Sequence, residues 1–383
     1  MMKIVSLILI TLFFIGCNQE KTKEVSIYMW GGSKEINSFF DNFVIPNVKK
    51  ELNITLHRVP INSVKMILQK IELEKKAQKE GSVDIIWLNG ENFKIAKQKD
   101  LLYGPFVDKL ENANRYLDKN NISNFLDFGQ NTQGYEAPFG RAQFVMVYNS
   151  KKVQNPPSTL KQLLSWIKDN PGRFTYPALP DFTGSAFVRE LFMLSIGGAK
   201  NFDKNSFNDQ LIKLFEKLNG IKPYLFEKGE YMPNSSALLD TLYSKGEVDF
   251  TMSYNPSHAL NKIKAKDFPE ETKTFIFDNG TLANTHFLAI SSNSQHKKDA
   301  IKVINYLLSP IVQLQKAKPE VWGDGTVLDI KKLKGDMKQR FLKLSLDPSL
   351  IPSNVLEKSQ IPELDAKYVD LIEKLWEENV KKK

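Results

Sequence analysis

Two hydrophobic rhythms alternate along the first third of this chain. Residues 25–30, 54–59 and 84–88 are short runs rich in β-branched and aromatic side chains, the pattern of strands. Between them, residues 34–50 set Ile36, Phe39, Phe40, Phe43 and Val44 at helical spacing. Residues 64–79 do the same with Val64, Ile67, Leu68 and Ile71. Strands alternating with amphipathic helices predict an α/β domain. The most compact case is 83–93. There Asp84-Ile85-Ile86-Trp87-Leu88 reads as a strand buried on both faces, Asn89-Gly90 as a turn, and Glu91 as a helix start. The same device recurs at 27–33, 176–185 and 249–257. In open α/β sheets, such strand ends form the crevice where ligands sit.

Further along, Pro138 and Gly140 bracket a backbone change before an apolar strand at 143–149, so a crossing into a second lobe is expected there. Helices are expected at 159–169, 186–196, 207–218 and 235–244, with strands at 173–176 and 248–253. Strands at 275–277 and 287–290 flank Asp278-Asn279-Gly280, the expected return crossing. Helices at 298–308 and 368–380 follow. The resulting plan is a first lobe over 25–138, a second over 139–279, and a return of 280–383 to the first. A chain of 383 residues exceeds the usual single core, which agrees with two lobes.

Charge narrows the choice of partner. The formal net charge is +9, yet only six of the 53 basic residues are arginine, and the lysines are scattered. That describes a lysine-coated surface, whereas nucleic-acid recognition favours clustered arginine with interleaved aromatics. At the N-terminus Lys3 precedes an apolar run at 4–15, too short for a resident membrane helix but suited to a signal peptide. Cys17 is the sole cysteine, so neither an intramolecular disulfide nor metal ligation by thiolates is available. Phe14-Ile15-Gly16-Cys17 resembles a bacterial lipoprotein processing site. That resemblance implies a signal peptide over 1–16, lipidation of Cys17, a polar tether over 17–24, and an exported, membrane-anchored protein.

The junctions carry the candidate chemistry. Helix N-termini present unpaired N–H groups and a partial positive charge, so Gly31-Gly32-Ser33, Asn89-Gly90, Thr183-Gly184-Ser185 and Asn255-Pro256-Ser257 can receive anions; each is equally an ordinary capped helix start. Aromatics stand beside them. Trp30 and Tyr254, next to polar turn residues, are expected at the cleft, Phe139 in the core, and Trp87 in either; Phe182 and Trp322 complete the set. Glu91 can balance a cationic ligand, while Asp181 is expected to serve its own helix dipole. Arg141 can pair an anionic ligand group through its planar fork, or form an interlobe or surface ion pair. The four histidines show no metal-ligand spacing, and neither a nucleophile elbow nor a Walker loop is present. No metal or cofactor is therefore expected, nor an enzyme.

Residues 84–93 with 101–106, 137–149, 174–190 and 322–329 together resemble the solute-binding lipoproteins of bacterial ABC importers. The similarity is to the YnjB-like group, near the binding proteins for thiamine, polyamines and ferric iron. It implies a two-lobe periplasmic-binding-protein fold of type II, with crossing strands as hinge. It also implies a monomer that encloses a small solute and delivers it to a permease driven by a separate ATPase. The implied ligand is thiamine-like or another small charged organic molecule. The iron-binding relatives use adjacent tyrosines, whereas here Tyr254 is followed by Asn255. A sensory co-receptor is the alternative, and a secreted hydrolase acting through Ser185 or Glu91 a weaker one.

Overall fold

The computed structural model describes residues 23–382 apart from 62 and 346, and the side chains of residues 91 and 345 are also outside the described set. The expected signal peptide over 1–16, the expected lipidation at Cys17 and most of the expected tether therefore lie outside the described residues. Among the described residues twelve strands form: β1 (Lys23–Trp30), β2 (Ile54–Ile61), β3 (Ile85–Leu88), β4 (Leu102–Tyr103), β5 (Leu126–Asp127), β6 (Gln130–Asn131), β7 (Glu136–Gln143), β8 (Val145–Asn149), β9 (Phe250–Ser253), β10 (Thr272–Phe275), β11 (Thr281–Ser291) and β12 (Gln360–Pro362).

The first sheet runs β12-β11-β3-β1-β2, with β4 and β7 also paired to β11. β1 is parallel to β2 and β3, and β11 is antiparallel to β3 and β7. Both faces are covered, as the near-continuous apolar runs predict. Val25, Ile27, Met29, Ile85 and Trp87 enter one hydrophobic cluster, and Tyr28, Ile86 and Leu88 enter another on the opposite face. That is the period-two alternation of a strand read out as two layers. The helix after β1 starts where expected: the Ser33 hydroxyl accepts from Ile36 N at 3.3 Å.

The second sheet is antiparallel, in the order β10-β8-β9. Around it packs one large cluster built on the helices Leu160–Asp169, Phe182–Ser195 and Phe207–Ile221. Residues 183–194 are buried throughout, so the helix Phe182–Ser195 is central to this lobe. The C-terminal helix Ala366–Trp376 contributes Ile372 and Trp376 to the same cluster, so residues 280–383 divide between the two lobes.

The expected strand at 173–176 does not form. The carbonyls of Arg173 and Phe174 instead accept from Asp249 N and Phe226 N, at 2.9 and 2.8 Å, outside any ladder.

Among the described residues three segments cross between the lobes. β7 ends in the first sheet at Gln143 and β8 begins in the second at Val145, which puts the first crossing at Phe144. The second joins β10 to β11. The third runs from Ser359 through β12 to Glu363, ahead of the C-terminal helix Ala366–Trp376. They are bonded side by side: Phe144 N donates to Leu282 O at 2.8 Å, and Thr281 N donates to Ser359 O at 2.7 Å. Buried Glu190, on the central helix of the second lobe, accepts from Leu282 N at 2.8 Å.

Candidate ligand-binding cleft

A line of contacts runs from the first sheet to the second lobe through several of the expected site residues. The Trp87 indole is buried and donates to Asn89 Oδ1 at 3.1 Å. Asn89 in turn donates through Nδ2 to Thr285 O at 3.0 Å, on β11. The ring of His286, on the same strand, lies 5.0 Å from Trp87 and stacks on Trp322 at 6.0 Å. The carbonyl of Trp322 accepts from Asn255 Nδ2 at 3.0 Å, the residue that follows Tyr254 beyond β9. Tyr254 lies 5.2 Å from Phe182, ring to ring.

Within this line the aromatics divide by exposure. Trp87, Tyr254 and Trp322 are 8%, 7% and 5% exposed, whereas Trp30 and Phe182 are 53% and 52% exposed. Tyr254 is thus a core residue rather than a free cleft face. Its hydroxyl donates to Glu363 Oε1 at 2.7 Å, and burial, followed by Glu363, pushes its pKa well up. Trp30 closes β1, whose parallel register with β3 (Tyr28 opposite Ile86) brings Trp30 and Asn89-Gly90 to the same sheet edge. Gly31 lies against Pro60 there.

The helix starts are largely self-satisfied. Asp181 Oδ1 accepts from Thr183 N and Gly184 N, both at 2.9 Å, so that N-terminus is closed by its own carboxylate. Gly184 sits on the Pro177 carbonyl, where a Cβ would approach to 2.1 Å. Ser185 is buried, donating to Glu373 Oε1 and accepting from Arg189 Nη1, each at 2.6 Å. It is held in an ion-pair network, not poised as a nucleophile. Asn255 Oδ1 caps Ser257 N at 2.9 Å. Gly90 has φ +62°, a conformation that favours glycine, and its N–H donates to Asp127 Oδ2 at 2.5 Å. Glu91 begins the helix Glu91–Gln98, with its side chain outside the described set.

Several buried charges were not legible in the sequence. Asp127 Oδ1 and both oxygens of Glu136 have no hydrogen-bond partner among the described residues. Burial raises Asp127 to about 8, against the Gly90 N–H that opposes it. Burial and then Asp127 raise Glu136 well above its ordinary value. Lys316 and Asp324 form a buried pair at 2.5 Å, with His286 3.0 Å from the same carboxylate. Burial lowers the Lys316 pKa; it would raise Asp324, but Lys316 and His286 outweigh it and hold that carboxyl down. Arg189 meets Glu363 in a two-pronged pair at 2.9 Å, fully buried. The Gly323-Asp324-Gly325 run was the one sequence signal for this region.

Arg141 stands apart from the aromatic line. It lines a cavity of about 130 Å³ between hinge and lobes, with Gln143, Ser257, Gly323, Asp324, Leu356 and Glu357 among its walls. Its Nη2 lies 3.3 Å from Asn124 Oδ1 and 3.6 Å from Asp118 Oδ2. Burial lowers its pKa, partly offset by Asp118 and Glu357.

Comparison with known proteins places this architecture. The family described as bacterial extracellular solute-binding protein matches residues 45–331. Protein YnjB of Escherichia coli (strain K12) is 34% identical over 365 residues, covering 94% of this chain and 91% of that protein. The spermidine/putrescine ABC transporter substrate-binding protein of Streptococcus pneumoniae superposes with a TM-score of 0.64 at 16% identity, covering 93% of this chain and 98% of that one. A periplasmic thiamin binding protein gives 0.58 at 17% identity, covering 93% and 96%. The fold is the two-lobe periplasmic-binding type, type II, as expected. Among the described residues no helix is long and apolar enough to cross a membrane. The chain belongs to the bacterial extracellular solute-binding protein family.

Proposed function

We propose that this protein captures a small, charged, ring-bearing solute between its lobes and delivers it to a membrane permease worked by a separate ATPase. It binds the solute without turning it over, as an exported monomer held at the membrane through Cys17. The observation that carries this reading is the pair Trp30 and Phe182. Each is a large aromatic left more than half exposed, Trp30 as the last residue of β1 and Phe182 as the first of its helix, one in each lobe, and Phe182 adjoins the line of contacts that joins the lobes. Exposed aromatic faces stack on ring systems and attract organic cations, by roughly 0.5–2 kcal/mol each. A thiamine-like solute fits that chemistry, and one structural relative is a periplasmic thiamin binding protein. Exposed aromatic faces are suited to a molecule that carries both a ring and a positive charge.

The test is a thermal-shift screen of residues 18–383 against vitamins, polyamines, oxyanions, sugars and metals. A ligand at a hundred times its Kd adds about 2.7 kcal/mol to the folded state, enough to move a melting curve. A thiamine-class hit, weakened in Trp30→Ala and in Phe182→Ala, is the expected result. A hit confined to sugars or metals, or a flat screen on folded protein, overturns it.

A further inference from the structure

Trp30 is more than half exposed, yet its indole is not free to turn. It lies over Gly32, two residues on. A Cβ at Gly32 would come within 2.4 Å of Trp30 Cζ2, 2.5 Å of Cε2 and 2.8 Å of Nε1. An approach in the plane of the ring would leave the inner atom, Cε2, farther away than both of its neighbours. Cε2 is instead nearer than Nε1, so the glycine sits against one face of the indole. The exposed surface of Trp30 is then chiefly the opposite face.

The turn beneath the ring is itself tied down. Gly31 packs on Pro60 of β2, whose Cβ would lie 2.6 Å from an added Cβ. The Gly31 carbonyl accepts from Nδ2 of Asn37, in the helix Lys34–Phe39, at 2.8 Å. Asn37 Oδ1 accepts from Arg58 Nη1 at 3.0 Å, and Arg58, also on β2, holds Asp41 through two bonds of 2.7 Å. A two-pronged pair of this kind fixes the guanidinium plane and, through it, the Asn37 amide. β1, β2 and the helix after β1 thus meet under one ring. Neither Gly31 nor Gly32 has the left-handed backbone that itself favours glycine, so what each supplies is room.

We propose that Gly32 is a positioning residue for solute binding: its missing side chain is the seat that fixes the Trp30 indole with one face presented, and Asn37 holds that seat in place. An exposed aromatic side chain normally loses rotamer freedom when a ring stacks on it. A seated one has lost that freedom already, so less of the stacking energy is spent on ordering. The inference rests on the solute-binding reading for its ligand, but not for the placement of the ring. Alanine at position 32 is compatible with the backbone, so its methyl group acts by displacing the indole.

Thiamine is the probe, titrated calorimetrically into the native protein, Gly32→Ala, Trp30→Ala and the double variant. Gly32→Ala is expected to weaken thiamine about tenfold, or 1.4 kcal/mol, with the melting temperature kept. In the Trp30→Ala background the same change should cost less than about twofold, because its effect runs through that ring. Asn37→Ala should weaken thiamine by a smaller factor, again only while Trp30 is present. Native affinity in Gly32→Ala, or an equal loss in both backgrounds, overturns the proposal. Trp30→Ala at native affinity takes the ring, and Gly32 with it, out of the solute site. A second readout needs no solute. The chain has five tryptophans, and in a proton–nitrogen correlation spectrum the Trp30 indole N–H is the one lost in Trp30→Phe. Gly32→Ala should move that resonance and leave the other indole resonances in place; an unmoved Trp30 resonance overturns the proposal. A native protein that does not bind thiamine marks failure of the thiamine reading alone, and the resonance then decides for or against the seat.

Discussion

The side-chain amide of Asn255 donates to the backbone carbonyl of Trp322 at 3.0 Å, tying the turn after β9 to a loop whose indole packs on the first sheet. Asn261 Nδ2 reaches the same carbonyl at 3.4 Å, and Ser257 Oγ meets Gly323 O at 3.3 Å. The two lobes are therefore held together here by side chains of one gripping main-chain carbonyls of the other.

Gly323 is the tightest point of that grip. It has φ +78°, and a Cβ there would lie 2.2 Å from the Ser257 Cβ. Gly323→Ala should push the loop off residues 255–261. Small-angle scattering is expected to show a larger radius of gyration, and solute affinity should drop. Asn255→Ala should be milder, at about 1 kcal/mol for each of its two side-chain hydrogen bonds, to Trp322 O and from Ser257 N. A Gly323→Ala protein as compact as the native one would show that the contact does not hold the lobes.

Trp30 and Phe182 separate binding from stability. Alanine at either exposed position should change stability by no more than about 0.5 kcal/mol. Affinity for the solute should nonetheless fall about tenfold, the equivalent of 1.4 kcal/mol. Trp87→Ala and Tyr254→Ala should instead cost about 3–5 kcal/mol of stability, because both rings are buried. Chemical denaturation alongside calorimetric titration checks both halves. Full affinity in the Trp30 and Phe182 variants would remove them from the cleft.

Arg189 and Glu363 join the central helix of the second lobe to the end of the third crossing. Arg189→Met leaves a buried carboxylate without its partner, at about 3–5 kcal/mol. Removing both charges together, as Arg189→Met with Glu363→Gln, should recover a good part of that loss in urea denaturation. A double variant as unstable as the sum of the singles would mean the two side chains do not act as a pair.

Glu190 and Asp127 set a pH dependence with a definite sign. Burial raises both to about 8, from ordinary values of 4.5 and 3.8. Each carboxyl is therefore neutral in the fold under conditions that ionise it in the unfolded chain. The stability they contribute is complete below the ordinary values and is lost as pH rises toward about 8. Glu190→Gln should flatten the fall in melting temperature over that window. If its melting temperature follows the native curve throughout, Glu190 is not a source of the dependence.

Strands β1, β2 and β3 and the helix starts at Ser33 and Glu91 were legible because their signals are local: apolar period, turn residues, caps. The helix expected from 186 starts instead at Phe182, where Asp181 caps it, and β4 and β12 were not expected. The expected strand at 173–176 failed because extended residues need a ladder partner, and the sequence does not show that loop carbonyls at Arg173 and Phe174 are claimed elsewhere. The roles of Trp87 and Tyr254 were hidden for a similar reason. An aromatic beside a turn faces solvent or core according to what packs above it, and here His286 and Glu363 come from far along the chain. Buried pairs such as Lys316–Asp324 and Arg189–Glu363 are invisible as motifs, since their partners meet only through the fold.

The three crossings lie side by side and are bonded to one another at Phe144–Leu282 and Thr281–Ser359. A single tether would be a swivel, free to twist in any direction. Three joined tethers make a strip, soft to folding across its width and stiff to twisting. The two lobes are then confined to one arc of approach, so a solute meets the same pair of faces in the same register on every closure.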